Sequence, residues 1–301
     1  MTRIQTLHRY WLLLLLLSVL TIGSTQAQNI VYVDAEATGA NDGSSWQDAF
    51  TYLGDAILII DAEIWVAEGT YYPAPTGNLN PNFTFVLRGD MALYGGFSGV
   101  ESLRSQRDPV QNLTILSGDI DRNDLSNPAT DYNQIVGTNA YHVLFYSAGI
   151  GENVVVDGFT ITGGRSDIGS AEYGGGGMVF YGSNNTPGRY LRGRIQNCIF
   201  SGNQGIEGGA IKAFSTNTPI DQEISIEDCE FLGNGGYSFL SPAGGAVCFK
   251  GSTNSMMRNR VRNCSFIDNE SEWSGGAIYI RSFRGIDNNL IENCQFIGNQ
   301  L

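Results

Sequence analysis

The chain has 301 residues, with 17 Lys and Arg against 30 Asp and Glu and a formal net charge of −13 at pH 7. That balance argues against nucleic-acid partners, which need a cationic footprint to release phosphate counterions. Glycine at 39 positions, with Asn- and Ser-rich joints, fits a chain that turns often, and no segment is biased enough to read as disordered.

Arg3 and Arg9, an apolar run from Trp11 to Leu20 and the small-residue site Thr25-Gln26-Ala27 have the layout of a secretory signal. The run is short of the roughly 20 residues that span a bilayer. Residues 1–27 are therefore expected to be cleaved, leaving an exported chain, secreted or held at a bacterial outer surface, that does not span the membrane. Its cleavage removes two arginines and no acid, leaving 15 basic and 30 acidic residues. The acids crowd the first half: residues 28–165 hold 17 acids and 5 bases, and residues 166–301 hold 13 and 10.

Residues 28–152 read as an N-terminal cap and early coils. Ser44-Ser45 could cap a helix from Trp46 to about Ile60, with Ala49, Phe50, Leu53, Ala56, Ile57 and Ile60 at helical spacing. Short apolar runs follow as buried strands: Ile64 to Ala67, Phe85 to Leu87, Met91 to Tyr94 and Thr114 to Leu116. Asp119, Asp121, Asn123 and Asp124 then cluster oxygen ligands that a hard Ca²⁺ would accept. The run lacks the glycine and the final glutamate of an EF-hand loop, and an acidic solvated turn is the simpler reading. His142, the one histidine beyond the signal, could serve as a general base, but a single histidine beside a strand is more often structural.

Residues 153–301 form the repeat part of the same fold. One phrase, aliphatic, polar, Asn or Asp, Cys, any, Phe, two residues, Asn, occurs four times. Its copies contain Asn197, Cys198, Phe200 and Asn203; Asp228, Cys229, Phe231 and Asn234; Asn263, Cys264, Phe266 and Asn269; and Asn293, Cys294, Phe296 and Asn299. The cysteines are 31, 35 and 30 residues apart, an interval that marks a stacked solenoid. Each of the first three copies is followed by a tag beginning Gly208-Gly209, Gly244-Gly245 or Gly275-Gly276. Alternation on either side of Asn197, Asp228, Asn263 and Asn293 means two short strands joined by a bend, with the bend side chains able to ladder along the stack. Cys and Phe then face inward. Four thiols stacked in register point the same way and do not readily form the S–S torsion, so a column of buried thiols is expected. Cys248 falls on the outward phase of the strand after its tag, with Lys212 and Tyr279, and is expected at the surface.

Val154 to Gly164 is a degenerate fifth copy, with Phe159 in the Cys slot and Ile161 in the Phe slot, and Gly175 to Met178 stands for its tag. Ser183 to Gly188 and Tyr237 to Pro242 should be projecting loops. Outward Arg192, Arg194, Arg258, Arg260, Arg262, Arg281 and Arg284 could form a basic stripe for an acidic glycan; the preferred alternative is that they pair with Glu227, Glu230 and Glu292 on neighbouring coils. Tyr279, Tyr173 and Tyr237 could stack on sugars or be ordinary exposed aromatics. The chain stops after Asn299 without a further tag, which suggests a truncated product.

The alternating Phe-x-x-Asn and Gly-Gly-Ala-(Ile/Val) phrases resemble the repeats of chlamydial polymorphic outer-membrane protein passengers. More broadly they are similar to right-handed parallel β-helix proteins of the pectate-lyase-like superfamily. Val31 to Asp34, Asn41 to Trp46, Ile64 to Tyr71, Tyr94 to Phe97 and Leu116 to Asp121 look like the N-terminal coils of secreted bacterial members, so the similarity covers nearly all of residues 30–301. It implies an all-β, right-handed parallel β-helix with an N-terminal capping helix. The superfamily spans lyases, hydrolases, adhesins and surface proteins. Its lyases use a Ca²⁺ cluster with a basic residue, and its hydrolases use grouped aspartates with a Gly-His-Gly segment that does not occur here. The expectation is a structural or adhesive surface protein whose partner is a polysaccharide or cell-surface glycan. The alternative is a carbohydrate-active lyase or hydrolase. No cofactor is expected other than Ca²⁺.

Overall fold

The computed structural model describes residues 29–147, 153–166, 174–182, 190–215, 220–237, 244–283 and 286–301. The expected signal, the loop Ser183 to Gly188, most of the loop Tyr237 to Pro242, Tyr173 and Arg284 lie outside them. The chain is an all-β parallel solenoid. One sheet runs Asn29–Val33, Ala62–Ala67, Met91–Phe97, Val154–Asp157, Tyr190–Gln196 and Asp221–Glu227, then divides into Met256–Met257 with Ile286–Asp287 and Arg260–Arg262 with Leu290–Glu292. A second sheet runs Gly69–Tyr71, Thr114–Ser117, Thr160–Thr162, Ile199–Ser201, Glu230–Leu232, Ser265–Ile267 and Gln295–Ile297. The third runs Phe85–Leu87, Leu144–Ser147, Met178–Gly182, Ile211–Ser215, Val247–Thr253 and Ile278–Phe283.

Register carries the repeat into space. Val31, Ile64, Leu93, Val156, Ile195, Ile226, Val261 and Ile291 form one unbroken inward column. Tyr71, Leu116, Ile161, Phe200, Phe231, Phe266 and Phe296 form another. The last four rings stack with centroids 5.3, 4.7 and 5.0 Å apart and planes within 9°, so dispersion and apolar burial act together along the axis. The degenerate copy at Val154 takes its expected place, with Ile161 beside Phe200.

Two kinds of corner close each coil. At the first, Asn197, Asp228, Asn263 and Asn293 adopt φ of 51–54°, the left-handed region that Asn and Asp tolerate best after glycine. Their side chains bond along the stack, Asn197 Nδ2 to Asp157 Oδ1 at 2.8 Å and Asn263 Nδ2 to Asp228 Oδ1 at 3.1 Å. The second corner holds Asn203, Asn234 and Asn269, all with no exposed surface. Each Nδ2 donates to the Oδ1 of the next coil, at 3.1, 2.9 and 2.8 Å. Each also donates to a carbonyl of the preceding coil, Ile161, Phe200 or Phe231, at 2.9 Å. The glycine tags follow because backbones approach closely: a Cβ on Gly245 would lie 1.9 Å from the Gly276 carbonyl oxygen.

The thiols are free, with Cys198, Cys229 and Cys264 buried and Cys294 half-buried in the last coil. Burial, followed by the neighbouring thiols, pushes Cys229 well up. Cys248 corrects an expectation. It is on the outward phase but fully buried, because the turn carrying Glu207 and Gly208 lies over that face. Glu207 bonds Lys212, the partner of Cys248 on the neighbouring strand, at 2.9 Å and Lys250, two residues along the strand of Cys248, at 2.8 Å. Burial, with a smaller contribution from Glu207, pushes the Cys248 thiol up to about 12.

The helix expected from Trp46 to Ile60 is a single turn, Leu53–Ala56. Phe50 donates its N–H to the Tyr32 carbonyl and accepts from Asp34 N–H, so the first strand takes the groups a helix would need. Tyr52 is extended and caps nothing. Ala49, Leu53, Ala56 and Ile57 are still buried in the core, whereas Leu58 and Ile60 are exposed. Among the described residues no helix is long and apolar enough to cross a membrane.

Asn234→Ala leaves the backbone and side-chain N–H groups of Asn203 without their shared acceptor, and should destabilise the chain by about 2–5 kcal/mol. Outward Arg194→Ala should stay within about 0.5 kcal/mol. Urea midpoints at unchanged m-value measure both. In native thiol titration Cys294 should label first, with the other four reacting only on unfolding.

Candidate functional site

The repeat coils present outward side chains, several of which pair across neighbouring coils. Arg192 and Arg258 both bind Glu223, at 2.9 and 2.8 Å, and Arg262 binds Glu292. The pairing reading of the arginine stripe thus describes these three, with Glu223 in the place expected for Glu227 and Glu230. Arg281 stacks on Phe283, and Tyr279 is half-buried. His142 is buried, with Nδ1 donating to the Gly175 carbonyl at 2.9 Å. Burial lowers its pKa to about 4, so it is neutral and structural in placement.

The early coils differ. Counting three residues on from the second inward column gives Ala74, Asp119 and Gly164 in the first three coils, and Asn203, Asn234, Asn269 and Asn299 afterwards. Asp119 therefore stands where later coils place the buried amide. Its carboxylate accepts from Asn123 N–H and Asp124 N–H at 3.0 and 3.1 Å. Asp121 accepts from Thr138 N–H at 2.8 Å. Asp124 accepts from Val136 N–H and Asn139 Nδ2 at 2.7 and 2.9 Å. These carboxylates are turned to N–H donors and fold the loop upon itself. Among the described residues no three His, Cys, Asp or Glu side chains gather as a metal-holding group, and Asp121 Oδ1 is buried without a hydrogen-bond partner. Burial raises the Asp119 and Asp124 carboxyls, with Asp121 adding to the rise in both, and Asp124 reaches about 6.

The loop does deliver one side chain to a cleft. Arg122 sits at its centre in a left-handed conformation, φ 59°, a strained position for a residue other than Gly, Asn or Asp. Its guanidinium lies 4.5 Å from the centroid of the Tyr72 ring, and Nη2 donates to Thr76 Oγ1 at 3.1 Å. Arg122, Thr51, Tyr52, Thr70, Tyr71, Tyr72 and Thr76 line a cleft of about 510 Å³ with Ala35, Ala74 and Pro75, in the size range of small-molecule sites. The phenols are fixed: Tyr52 donates to Pro73 O at 2.5 Å, Tyr71 to Ala67 O at 3.1 Å, and Tyr72 Oη accepts from Asn127 Nδ2 at 3.2 Å. Burial raises the pKa of all three, so they are neutral hydroxyls at neutral pH.

Sequence reasoning missed Tyr52, Tyr72, Thr76 and Arg122 as a group. The available cue was an arginine inside an acidic run together with the Thr70-Tyr71-Tyr72 cluster, and nothing in their spacing joins residues 50 positions apart. Comparison of the chain with family models, curated proteins and solved structures returned no match.

Asp124 supplies a pH test. A carboxyl raised from 3.8 to about 6 binds its proton more tightly in the folded chain, so this group's contribution falls as pH rises from about 4 to 6 and is constant above. Asp124→Asn should gain melting temperature relative to wild type across that window, and the difference should level off on both sides. A flat difference would place Asp124 in the ordinary carboxylate range.

Proposed function

We propose that this chain is an exported, right-handed parallel β-helix of the pectate-lyase-like kind that acts as a structural or adhesive module. In this reading the stacked coils are a rigid spacer, and a polysaccharide or cell-surface glycan is held on the lateral surface. The observation that carries it is the tyrosine-lined cleft built on coils whose inward columns are in register from Val31 to Ile291. Rigid elements hold a binding constellation better than free loops do, and aromatic rings with fixed hydroxyls suit saccharides. Right-handed winding follows the strong preference of parallel crossovers. Export rests on the charged, apolar and small-residue order of residues 1–27.

One observation favours the alternative, a polysaccharide lyase or glycoside hydrolase. Asp124 has a carboxyl titrating near 6 and lies close enough to Tyr72 to influence its hydroxyl, as a general acid beside a sugar would.

The two readings separate in one assay series. The chain beginning at residue 28 is presented to immobilised glycans and to intact cells, and the supernatants are examined for new reducing ends and unsaturated products. Retention without turnover is expected. Turnover abolished by Asp124→Asn would replace the adhesive reading with the enzymatic one.

A further inference from the structure

We infer that the cleft between the first coils binds a neutral pyranose unit, with the sugar ring against the Tyr52 and Tyr72 side chains and its hydroxyls on Arg122 and the threonines. This deepens the adhesive reading and rests on it.

Charge decides the class of ligand. Among the described residues Arg122 makes one hydrogen bond, to Thr76, and stacks on Tyr72 without an ion pair. A guanidinium has five donors, so most remain available at the wall, and its charge repels a cationic ligand. A polyanion meets the opposite obstacle. Asp119, Asp121 and Asp124 belong to the same loop, and residues 28–165 carry 17 acids against 5 bases. These carboxylates beside the cleft oppose the approach of a chain of carboxylates or sulfates, while Arg122 at its wall opposes a cation. What remains is an uncharged ligand rich in hydroxyls that can accept from Arg122.

Shape and polarity agree. The lining combines the Tyr52, Tyr71 and Tyr72 rings with the hydroxyls of Thr51, Thr70 and Thr76 and the apolar Ala35, Ala74 and Pro75. A pyranose has the same division, with axial C–H groups on its faces and hydroxyls on its rim. An aliphatic ligand would leave the Arg122 donors and the threonine hydroxyls it covers unmatched, which costs free energy once water is displaced. The fixed phenols and the stacked guanidinium are preorganised, so little side-chain entropy is lost on binding. The left-handed Arg122 backbone, held by the Asp119 and Asp121 hydrogen bonds to Asn123, Asp124 and Thr138, keeps the guanidinium at the wall.

Titration calorimetry on the chain beginning at residue 28 tests this with cellobiose, lactose, mannobiose and xylobiose as neutral probes, and with galacturonate and alginate oligomers as the anionic arm. At least one neutral disaccharide should bind in the micromolar to millimolar range, and the anionic oligomers should bind more weakly. Arg122→Gly and Tyr72→Ala should each weaken it by about tenfold or more. Glycine accepts φ 59° without strain, so Arg122→Gly should keep or raise the melting temperature, which separates lost contact from lost fold. Neutral binding unaffected by both variants, stronger binding of the anionic oligomers, or no neutral binding by a wild type that still adheres to cells would each overturn the inference and leave the adhesive reading standing. Failure of the wild type to bind any glycan or cell would remove both.

Discussion

Everything in this chain depends on how a backbone is carried around a buried corner. A parallel sheet satisfies its own N–H and C=O groups, but a turn between two sheets leaves some of them pointing into the core, where an unmatched polar group costs about 1–3 kcal/mol. From Asn203 onward one side chain solves this at every coil. The amide donates twice, to a carbonyl below and an amide oxygen above. Its own Oδ1 accepts twice, from the backbone and the side chain of the previous asparagine. No donor or acceptor of Asn234 is left over. Because the matching works only when successive asparagines are in line, the ladder also fixes register. A one-residue slip would turn every inward side chain outward.

The cleft lies where that device is absent. In the first three coils the ladder position is Ala74, Asp119 or Gly164, and none of these can pass an amide bond to its neighbour. The chain then leaves the stack after Tyr71 and after Ser117 and returns only at Phe85 and Leu144. Asp119 keeps the buried position but turns its carboxylate on the N–H groups of its own loop. The excursions from neighbouring coils lie side by side, which sets Tyr72 of one against Arg122 of the next. A second apolar layer on the outer face of the first sheet, with Tyr32 and Trp46 against Trp65 and Phe97, braces these coils from the other side. Arg107 reaches Asp157 at 2.7 Å and the Gly95 carbonyl at 2.9 Å, tying that layer to the following coil.

The inward columns were legible in the sequence because period-two alternation and a fixed bend residue determine which way each side chain points. The same rule misplaced Cys248. Alternation gives the face of a strand, but it says nothing about a turn 40 residues earlier lying over that face. The segment from Trp46 to Ile60 has the spacing of a helix, and Ala49, Leu53, Ala56 and Ile57 do reach the core although Ile60 does not. Its backbone was claimed by the neighbouring strand, a tertiary demand that outweighs propensity. The acidic run gives its oxygen count directly, whereas the N–H groups that its carboxylates meet, up to 17 residues away, are set by the fold. Tyr72 and Arg122 meet only because two excursions are neighbours in the stack, and single-residue patterns contain no such information.

A stack of coils couples each unit chiefly to its neighbours, and in this chain a long excursion adds contacts between the early and the repeat coils. The repeat coils are bound by inward columns and ladders that tolerate little change. Their outward positions vary among Gln196, Glu227, Arg262 and Glu292 at equivalent places with only surface pairs at stake, each worth up to about 1 kcal/mol. The excursion that carries Arg122 nevertheless rests on these coils: Tyr132 donates its N–H to the Gly233 carbonyl at 2.9 Å and its hydroxyl to Glu270 Oε2 at 2.8 Å. Ala129 and Tyr132 of the same excursion lie against Gly202 and Gly235, each next to a ladder asparagine, so the loop and the ladder are coupled. Tyr52, Tyr72 and Arg122 themselves belong to the early coils, whereas the ring stack and the amide ladder that set the register of the repeat coils begin at Phe200 and Asn203.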